Sequence, residues 1–505
     1  MATEAAFFDT AGAGKAQPIQ SDIKVRAPNR ESLASAQYDP TRYLTSSAFI
    51  LKRRHARDIL RLLGEKTRAV APEPGLDMDL LLRVYNFVAK RETIYQVFFA
   101  LLSLPIISAI IEALDTGSDQ AAGAIIVSLL PSMALYLFKR LRDRFFYLPL
   151  FAADTYSAES VRKEKCFRKA PGNVLKNAIP SKEQNVVVYK CFTPFVGAGV
   201  NLGGWSFTTD VSRPKEQVGT ALKPVPFNIR ELYSVIDSSV NSLGFRGLTN
   251  SDFLYVHGTD LRKDRIFLPE LYGRPVQQVD QSIVEDHRGI SDCRIRHYKW
   301  IRVHDWNDEL ILSYFLRCSR QGNILFVETT RFLLTPLADE YRKVDVLLAR
   351  NLRESLATMF YESVFIGPLY ALCSQFMLFA KLIEGMQSER QKRRLIKENP
   401  LFNYGVDQSI RERYSSKSFD HYFQKLDGRM YLQVLEKDIL DATITFLDEH
   451  NINTSDIKER QTAILNTGVI VQGGDLNAQS LAVGTGSQAV VAQTSHNPAK
   501  TGRTL

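Results

Sequence analysis

The sequence predicts an α+β membrane protein: a transmembrane helical hairpin, a cytosolic α+β domain with an antiparallel meander, a helical C-terminal region and a β-prone, glycine-rich tail. Three observations carry that expectation. Residues 93–111, "TIYQVFFALLSLPIISAII", and 120–138, "QAAGAIIVSLLPSMALYLF", contain no charged side chain. Residues 294–334 alternate as three short strands would. The stretch 465–491, "LNTGVIVQGGDLNAQSLAVGTGSQAVV", carries one charge, Asp475.

Each apolar stretch is about long enough to cross ~30 Å of hydrocarbon at 1.5 Å per residue. In the first, the Leu, Ile, Val and Phe side chains each contribute roughly −0.3 to −0.6 kcal/mol to insertion, which Gln96 and the serines reduce without reversing. Pro105 and Pro131 would end a soluble helix, whereas in a membrane helix neighbours satisfy the freed carbonyls. The competing reading is a helical hairpin buried in a soluble core. Lys90 and Arg91 precede the first stretch, Lys139, Arg140, Arg142 and Arg144 follow the second, and the connector "EALDTGSD" is acidic. Because positive charge resists translocation, both ends are expected to stay cytoplasmic.

The net charge of +9 suits an acidic partner, either nucleic acid or an anionic membrane face. The cations gather beside the apolar stretches and not on any recognisable nucleic-acid platform, so the expected partners are the lipid bilayer and anionic lipid headgroups, with no nucleic acid. Upstream, "LKRRHARDILRLLGEKTR" sets Arg54, Arg57, Arg61 and Arg68 among leucines, as basic amphipathic juxtamembrane helices over 46–92 that either lie near headgroups or present a solvated face. Residues 1–45 lack a secretory pattern and read as a flexible lead-in. The five cysteines are scattered without a C-x-x-C pair, which suits a reducing compartment.

The region 150–340 reads as the cytosolic α+β domain. "QNVVVYKCFTPF" is a short β-rich run, and "NIRELYSVIDSSVNSLG" is an amphipathic helix with Asn228 as N-cap and Gly244 as stop. Three strands follow, with turns at "DWND" and "SRQGN". Residues 341–450 turn helical, and a stripe from Tyr422 through Leu435 to Leu447 predicts a helix with a break near Gly428. Within this region "SVFIGPLYALCSQFMLFAKLI", 363–383, is apolar enough for hydropathy alone to nominate a third span. Ser363, Gly367, Tyr370, Ser374 and Lys381 instead fall on one side, which suits a membrane-associated helix packed against the hairpin or lying in the interface. Arg390, Lys392, Arg393 and Arg394 just beyond also argue for retention.

No catalytic motif is present, and no cofactor or metal is expected. "PFVGAGVNLGGWSF" lacks the third glycine of a dinucleotide loop, with Leu202 in its place, and lacks a Walker lysine. A turn or ligand-approach loop stays open there, and with it a membrane-tethered enzyme or small-ligand-binding reading. Glu285, Asp286, His287, Asp292 and Cys293 cluster, but adjacent side chains rarely point at one ion, and His257, His297 and His304 show no metal-ligand spacing.

The tail 451–505 is low in charge. Val469, Ile470, Val471, Gln472, Gly473, Gly474, Leu481, Val483 and Gly484 supply β-formers and an amide between glycine turns, a pattern that stacks when identical chains lie in register. The alternative is a flexible tail with incidental valines.

"TPFVGAGVNLGGWSF" together with "FLDEHNINTSDIKERQTAILNTGVIVQGG" resembles a group of uncharacterised actinobacterial two-helix membrane proteins. That resemblance implies a bacterial inner-membrane location and no activity. "GVIVQGGDLNAQSLAVG" is similar to bacterial amyloid signalling motifs, which implies self-association or a partner with a matching β motif, and a signalling or defence effector. "AVGTGSQAV" is also similar to turns of trimeric adhesin heads, a likeness at odds with the cytoplasmic orientation.

Overall fold

The structure, a computed structural model, describes residues 38–466 apart from 52–53, 117–118, 218–219 and 291–293. The strands are β1 Val186–Tyr189, β2 Val200–Asp210, β3 Lys215–Gln217, β4 Thr220–Leu222, β5 Leu248–His257, β6 Ile295–Asp305, β7 Leu310–Gln321 and β8 Ile324–Leu334. Six of them form one mixed sheet in the order β1-β5-β6-β7-β8-β2, with β1 parallel to β5 and every other pair antiparallel. β6 to β8 are the expected meander. The central strand β7 is buried at ten of its twelve residues, so the sheet is covered on both faces.

The principal helices are α1 Pro40–Ile50, α2 Arg54–Leu63, α3 Met78–Thr116, α4 Asp119–Arg142, α5 Ile229–Ser242, α6 Leu352–Glu398, α7 Ile410–Arg413, α8 Tyr422–Glu449 and α9 Ser455–Asn466. Asn228 caps α5 as its sequence predicts, accepting from the Arg230 amide, and Gly244 follows the helix at φ +65°. One sheet face packs α5 and α8 through Leu232, Ile236 and Val240 against Ile301, Leu312 and Tyr314. The other holds an aromatic cluster in which Phe195 stacks on Phe315 at 4.2 Å and meets Tyr298 edge-on. Each such fully buried side chain contributes about 1.5–3 kcal/mol.

Three expectations need correcting. Among the described residues a helix already starts at Pro40, inside the stretch read as a lead-in to residue 45, because Asp39 caps the Arg42 amide and Tyr43, Leu44 and Phe49 are buried against α3. α8 runs unbroken through Gly428, which is buried facing Leu333. The boundary at 92/93 separates nothing: α3 is one helix whose first half packs Leu80, Leu81, Val84 and Tyr85 into a core with α1 and whose second half leaves that core. Among the basic residues upstream, Arg68 pairs with Asp407 at 3.3 Å. The tail positions Val469 to Gly484 lie outside the described residues, as do Asp292 and Cys293.

Two helices, over Met78–Glu112 and Leu352–Lys381, are long and apolar enough to cross a membrane. The second of these lies in α6, whose 47 residues extend for about 70 Å at 1.5 Å per residue. At its start, the Ser355 hydroxyl lies 3.5 Å from Arg144, just past α4, which also donates to the Leu348 carbonyl ahead of α6 at 3.3 Å; at the far end, Arg262 of the α+β unit donates to the Ile396 and Asn399 carbonyls at 2.9 and 2.8 Å. Between them α6 passes across the hairpin. Glu362 meets Arg140, Gly367 lies against Ser132 and Met133, Gln375 donates to Ser103 at 2.8 Å, and Lys381 donates to Gln96 and Thr93 at 2.7 and 2.9 Å. A side chain at Gly367 would come within 3.1 Å of the Ser132 carbonyl, so glycine is what permits this approach.

The segment between α2 and α3 is locked by a buried carboxylate. Glu73 accepts from the Ile410 and Arg411 amides at 2.7 and 2.9 Å, at the start of α7. Burial pushes its carboxyl up to about 8, against an ordinary value of 4.5. The folded chain therefore holds a proton that the unfolded chain releases between those values. The contribution to stability is greatest below pH 4.5 and shrinks as pH rises to about 8. Thermal unfolding in detergent across this range should show stability falling by up to about 1.4 kcal/mol per pH unit for this one group. Glu73→Gln should flatten the profile, at a cost of about 1 kcal/mol for the second amide it leaves unmatched.

Candidate membrane-interface site

The site lies where α3 and α4 leave the α+β unit. Their apolar sequences carry them outward together, while the cations at their feet are matched to carboxylates. Arg91, buried, pairs with Asp143 at 2.5 Å and with Glu92 at 3.5 Å, its guanidinium lying over the rings of Tyr147 at 5.0 Å and Phe49 at 5.3 Å. Lys139 pairs with Glu92 at 2.8 Å, and Arg140 pairs with Glu362 of α6 at 2.5 Å. These pairs sit at low exposure, where an unmatched charge is costly, so they fix the register of three helices at one level.

Beside this layer is a groove of about 540 Å³ between α3, α4 and the segment around Cys166. It is polar at one end and apolar at the other. On α3, Arg83, Phe87, Lys90, Ile94 and Phe98 follow one another at helical spacing, so the cations lie toward the α+β unit and the apolar residues toward the hairpin tip. α4 repeats the arrangement with Arg142 below and Leu135 and Phe138 above. Lys169 completes the cationic end, and no carboxylate lines the groove. Arg83 is matched by Asp79 at 2.7 Å. Lys90, Arg142 and Lys169 are exposed, and no ion pair joins them to another described residue. Arg142 is held in place by the Tyr95 hydroxyl and lies over the Tyr147 ring at 5.5 Å.

The six flanking cations thus divide. Arg91, Lys139, Arg140 and Arg144 bind the helices to one another and to the chain, while Lys90 and Arg142 face the groove. Sequence reasoning missed Arg83 and Lys169. Arg83 carries a legible signal, seven residues before Lys90 on the same helical face. Lys169 is brought in by tertiary folding alone.

The remaining motifs are absorbed by packing. The amides of Gly197 and Gly199 donate to the Glu412 carboxylate, the first at 3.1 Å, so the chain's own anion occupies the glycine-rich loop. Burial raises the Glu412 carboxyl, against the hydrogen bonds that lower it. A side chain at Gly199, just ahead of β2, would meet the Leu333 carbonyl at 2.4 Å, and one at Gly204, at the bulge of β2 against β8, the Thr329 carbonyl at 2.0 Å, so both glycines serve the close approach of these strands. Glu285, Asp286 and His287 lie on a short helix, where His287 hydrogen-bonds the Ile283 carbonyl at 2.7 Å. His257 pairs with Thr259 and His304 with Asp308, far apart in the sheet. No group of three or more His, Cys, Asp or Glu suited to a metal ion occurs among the described residues.

His297, under α5, hydrogen-bonds Asp252 at 2.8 Å, which also receives Arg288 at 2.6 Å and Lys299 at 3.3 Å. Burial alone would push the Asp252 carboxyl up; the His297 hydrogen bond with Lys299 and Arg288 overrides it and holds the group well below the usual range. The charges of this cluster answer one another, while His297 Nδ1 and Arg288 Nε are buried without a hydrogen-bond partner.

Asp143→Ala should leave the buried Arg91 with only Glu92, at 3.5 Å, to answer it and cost up to about 3 kcal/mol, read as a lowered melting temperature of the detergent-solubilised chain. A loss below about 1 kcal/mol would show that the pair is solvated and does not fix the hairpin.

No curated protein sequence and no solved structure matches this chain. Residues 204–479 match the family described as the AbeC-like domain, a span that takes in β2, β5 to β8 and α6 but neither helix of the hairpin. Since that span covers more than half of the 505 residues, the chain belongs to the AbeC-like family.

Proposed function

We propose that this protein is a membrane-anchored module that holds its α+β unit against the cytosolic face of a bilayer, with α3 and α4 inserted as a hairpin and α6 laid in the interface. One observation carries the reading: the three helices expose a shared apolar surface while turning their polar groups inward. Ile94, Leu101, Leu104 and Leu114 on α3, Leu130 on α4, and Phe360, Phe365, Phe376 and Phe379 on α6 all face outward. Leu114, near the tip, is 81% exposed and Phe376 79%. Gln96, Ser103, Ser132, Ser363 and Ser374 are buried and hydrogen-bonded. A soluble protein rarely shows water so much contiguous apolar surface, and hydrocarbon accepts it without cost.

The flanking cations support the cytosolic placement of the α+β unit. Cys191 is an exposed free thiol on that unit. In intact bacterial cells it should resist a membrane-impermeant maleimide and react once the cells are permeabilised, while Ser118→Cys in the connector should react from outside. Labelling of Cys191 in intact cells would reverse the topology.

The low-charge tail extends the reading to a signalling or defence effector that assembles through β stacking. It follows α9, which packs on α8 and β2. Removing residues 467–505 should abolish higher-order assembly of the purified protein. An unchanged size distribution would discard the assembly role and leave the anchor intact.

A further inference from the structure

We propose that the groove at the foot of the hairpin seats one anionic glycerophospholipid, its phosphate against Lys90, Arg142 and Lys169 and one acyl chain over Ile94, Phe98 and Phe138. This rests on the membrane reading, and it names the molecule that the interface site selects.

The first ground is charge. A membrane-facing protein has every reason to keep cations near headgroups, yet most of those at this level are already matched: Arg91 by Asp143, Lys139 by Glu92, Arg140 by Glu362 and Arg83 by Asp79. The three that converge on the groove have no carboxylate in its lining to answer them. The complementary group is an anion supplied from outside.

The second ground is the groove's lengthwise polarity. Lys90 and Phe98 are eight residues apart on α3, about 12 Å along the axis. Arg142 and Phe138 repeat the same order on α4, one turn apart. A molecule that fills the groove must therefore be anionic at the end nearest the α+β unit and turn apolar within about 12 Å of that end toward the hairpin tip. Free phosphate satisfies only the first half. A neutral lipid satisfies only the second. A phospholipid with net negative charge satisfies both, and it enters sideways from the leaflet, because Ile94, Phe98 and Phe138 are each more than half exposed on the side facing the proposed bilayer.

The third ground is preorganisation. The Tyr95 hydroxyl and the Tyr147 ring fix the Arg142 guanidinium before any ligand arrives, so less side-chain entropy is lost when the phosphate binds.

The test uses the full chain purified in mild detergent from membranes containing both phosphatidylglycerol and zwitterionic lipid, followed by native mass spectrometry and quantitation of extracted lipid. About one phosphatidylglycerol per chain should be retained. The variant Lys90→Gln, Arg142→Gln, Lys169→Gln should lose about two orders of magnitude of preference for anionic over zwitterionic lipid, from roughly a fivefold loss for each neutralised cation near the surface, while a Lys90→Arg, Lys169→Arg variant should keep it.

Addition of inorganic phosphate should not displace the lipid. Displacement by phosphate alone, equal retention of zwitterionic lipid, or unchanged preference in the glutamine variant would each overturn the proposal. Failure of the membrane reading looks different, because the wild-type chain would then be recovered in detergent-free buffer. If the triple variant does not fold, Phe98→Arg together with Phe138→Arg blocks the apolar end and should abolish retention with all three cations in place.

Discussion

Everything in this structure that touches the hairpin depends on the buried pair of Arg91 and Asp143. The arginine has two duties that conflict. As a flanking cation it marks the foot of the hairpin, yet it stands among Phe49, Phe87 and Tyr147, where a bare guanidinium is expensive. Asp143, one residue past the end of α4, resolves the conflict by coming to meet it. The same pair then fixes the height of α4 against α3. Lys139 with Glu92, and Arg140 with Glu362, extend this matched layer sideways to α6.

With that layer set, the geometry of α6 follows. A helix of this length that crossed the bilayer would put its ends on opposite sides. The far end of α6 is instead bound to the α+β unit through Ile396, and its first turn stays beside Arg144 at the hairpin foot through Ser355. Its middle meets Ser103 and Ser132, part of the way up the hairpin, and its flanks return to Arg140 and Thr93 at the foot. Length and composition nominate α6 as a span; its contacts describe a helix laid across one.

The parts of the fold that local chemistry dictates were legible in the sequence. The meander from Ile295 to Leu334, the N-cap at Asn228 and the one-sided stripe of α6 each rest on periodicity or on a side chain reaching its own backbone. Ser363, Gly367, Tyr370, Ser374 and Lys381 do line the contact with the hairpin. What was hidden depends on partners distant in the chain. Glu412 fills the amides of Gly197 from 215 residues away, and no spacing rule announces it. The division of six flanking cations into four that bind internally and two that face a groove turns on Asp143, Glu92 and Glu362, acids that look ordinary in sequence. The break expected at Gly428 did not form because tertiary packing against Leu333 outweighs the weak helix propensity of a single glycine.

The central claim is that the hairpin enters the bilayer while α6 stays at its surface. The most direct measurement is spin-label depth by electron paramagnetic resonance in vesicles, with labels placed singly at Leu104→Cys, Phe376→Cys and Phe192→Cys and Cys191 replaced by Ser. The account predicts high oxygen and low nickel-chelate collision rates at 104, intermediate values of both at 376, and nickel accessibility typical of water at 192, whose side chain is fully exposed on the α+β unit. Water-like accessibility at 104, or a depth at 376 as great as at 104, would contradict it.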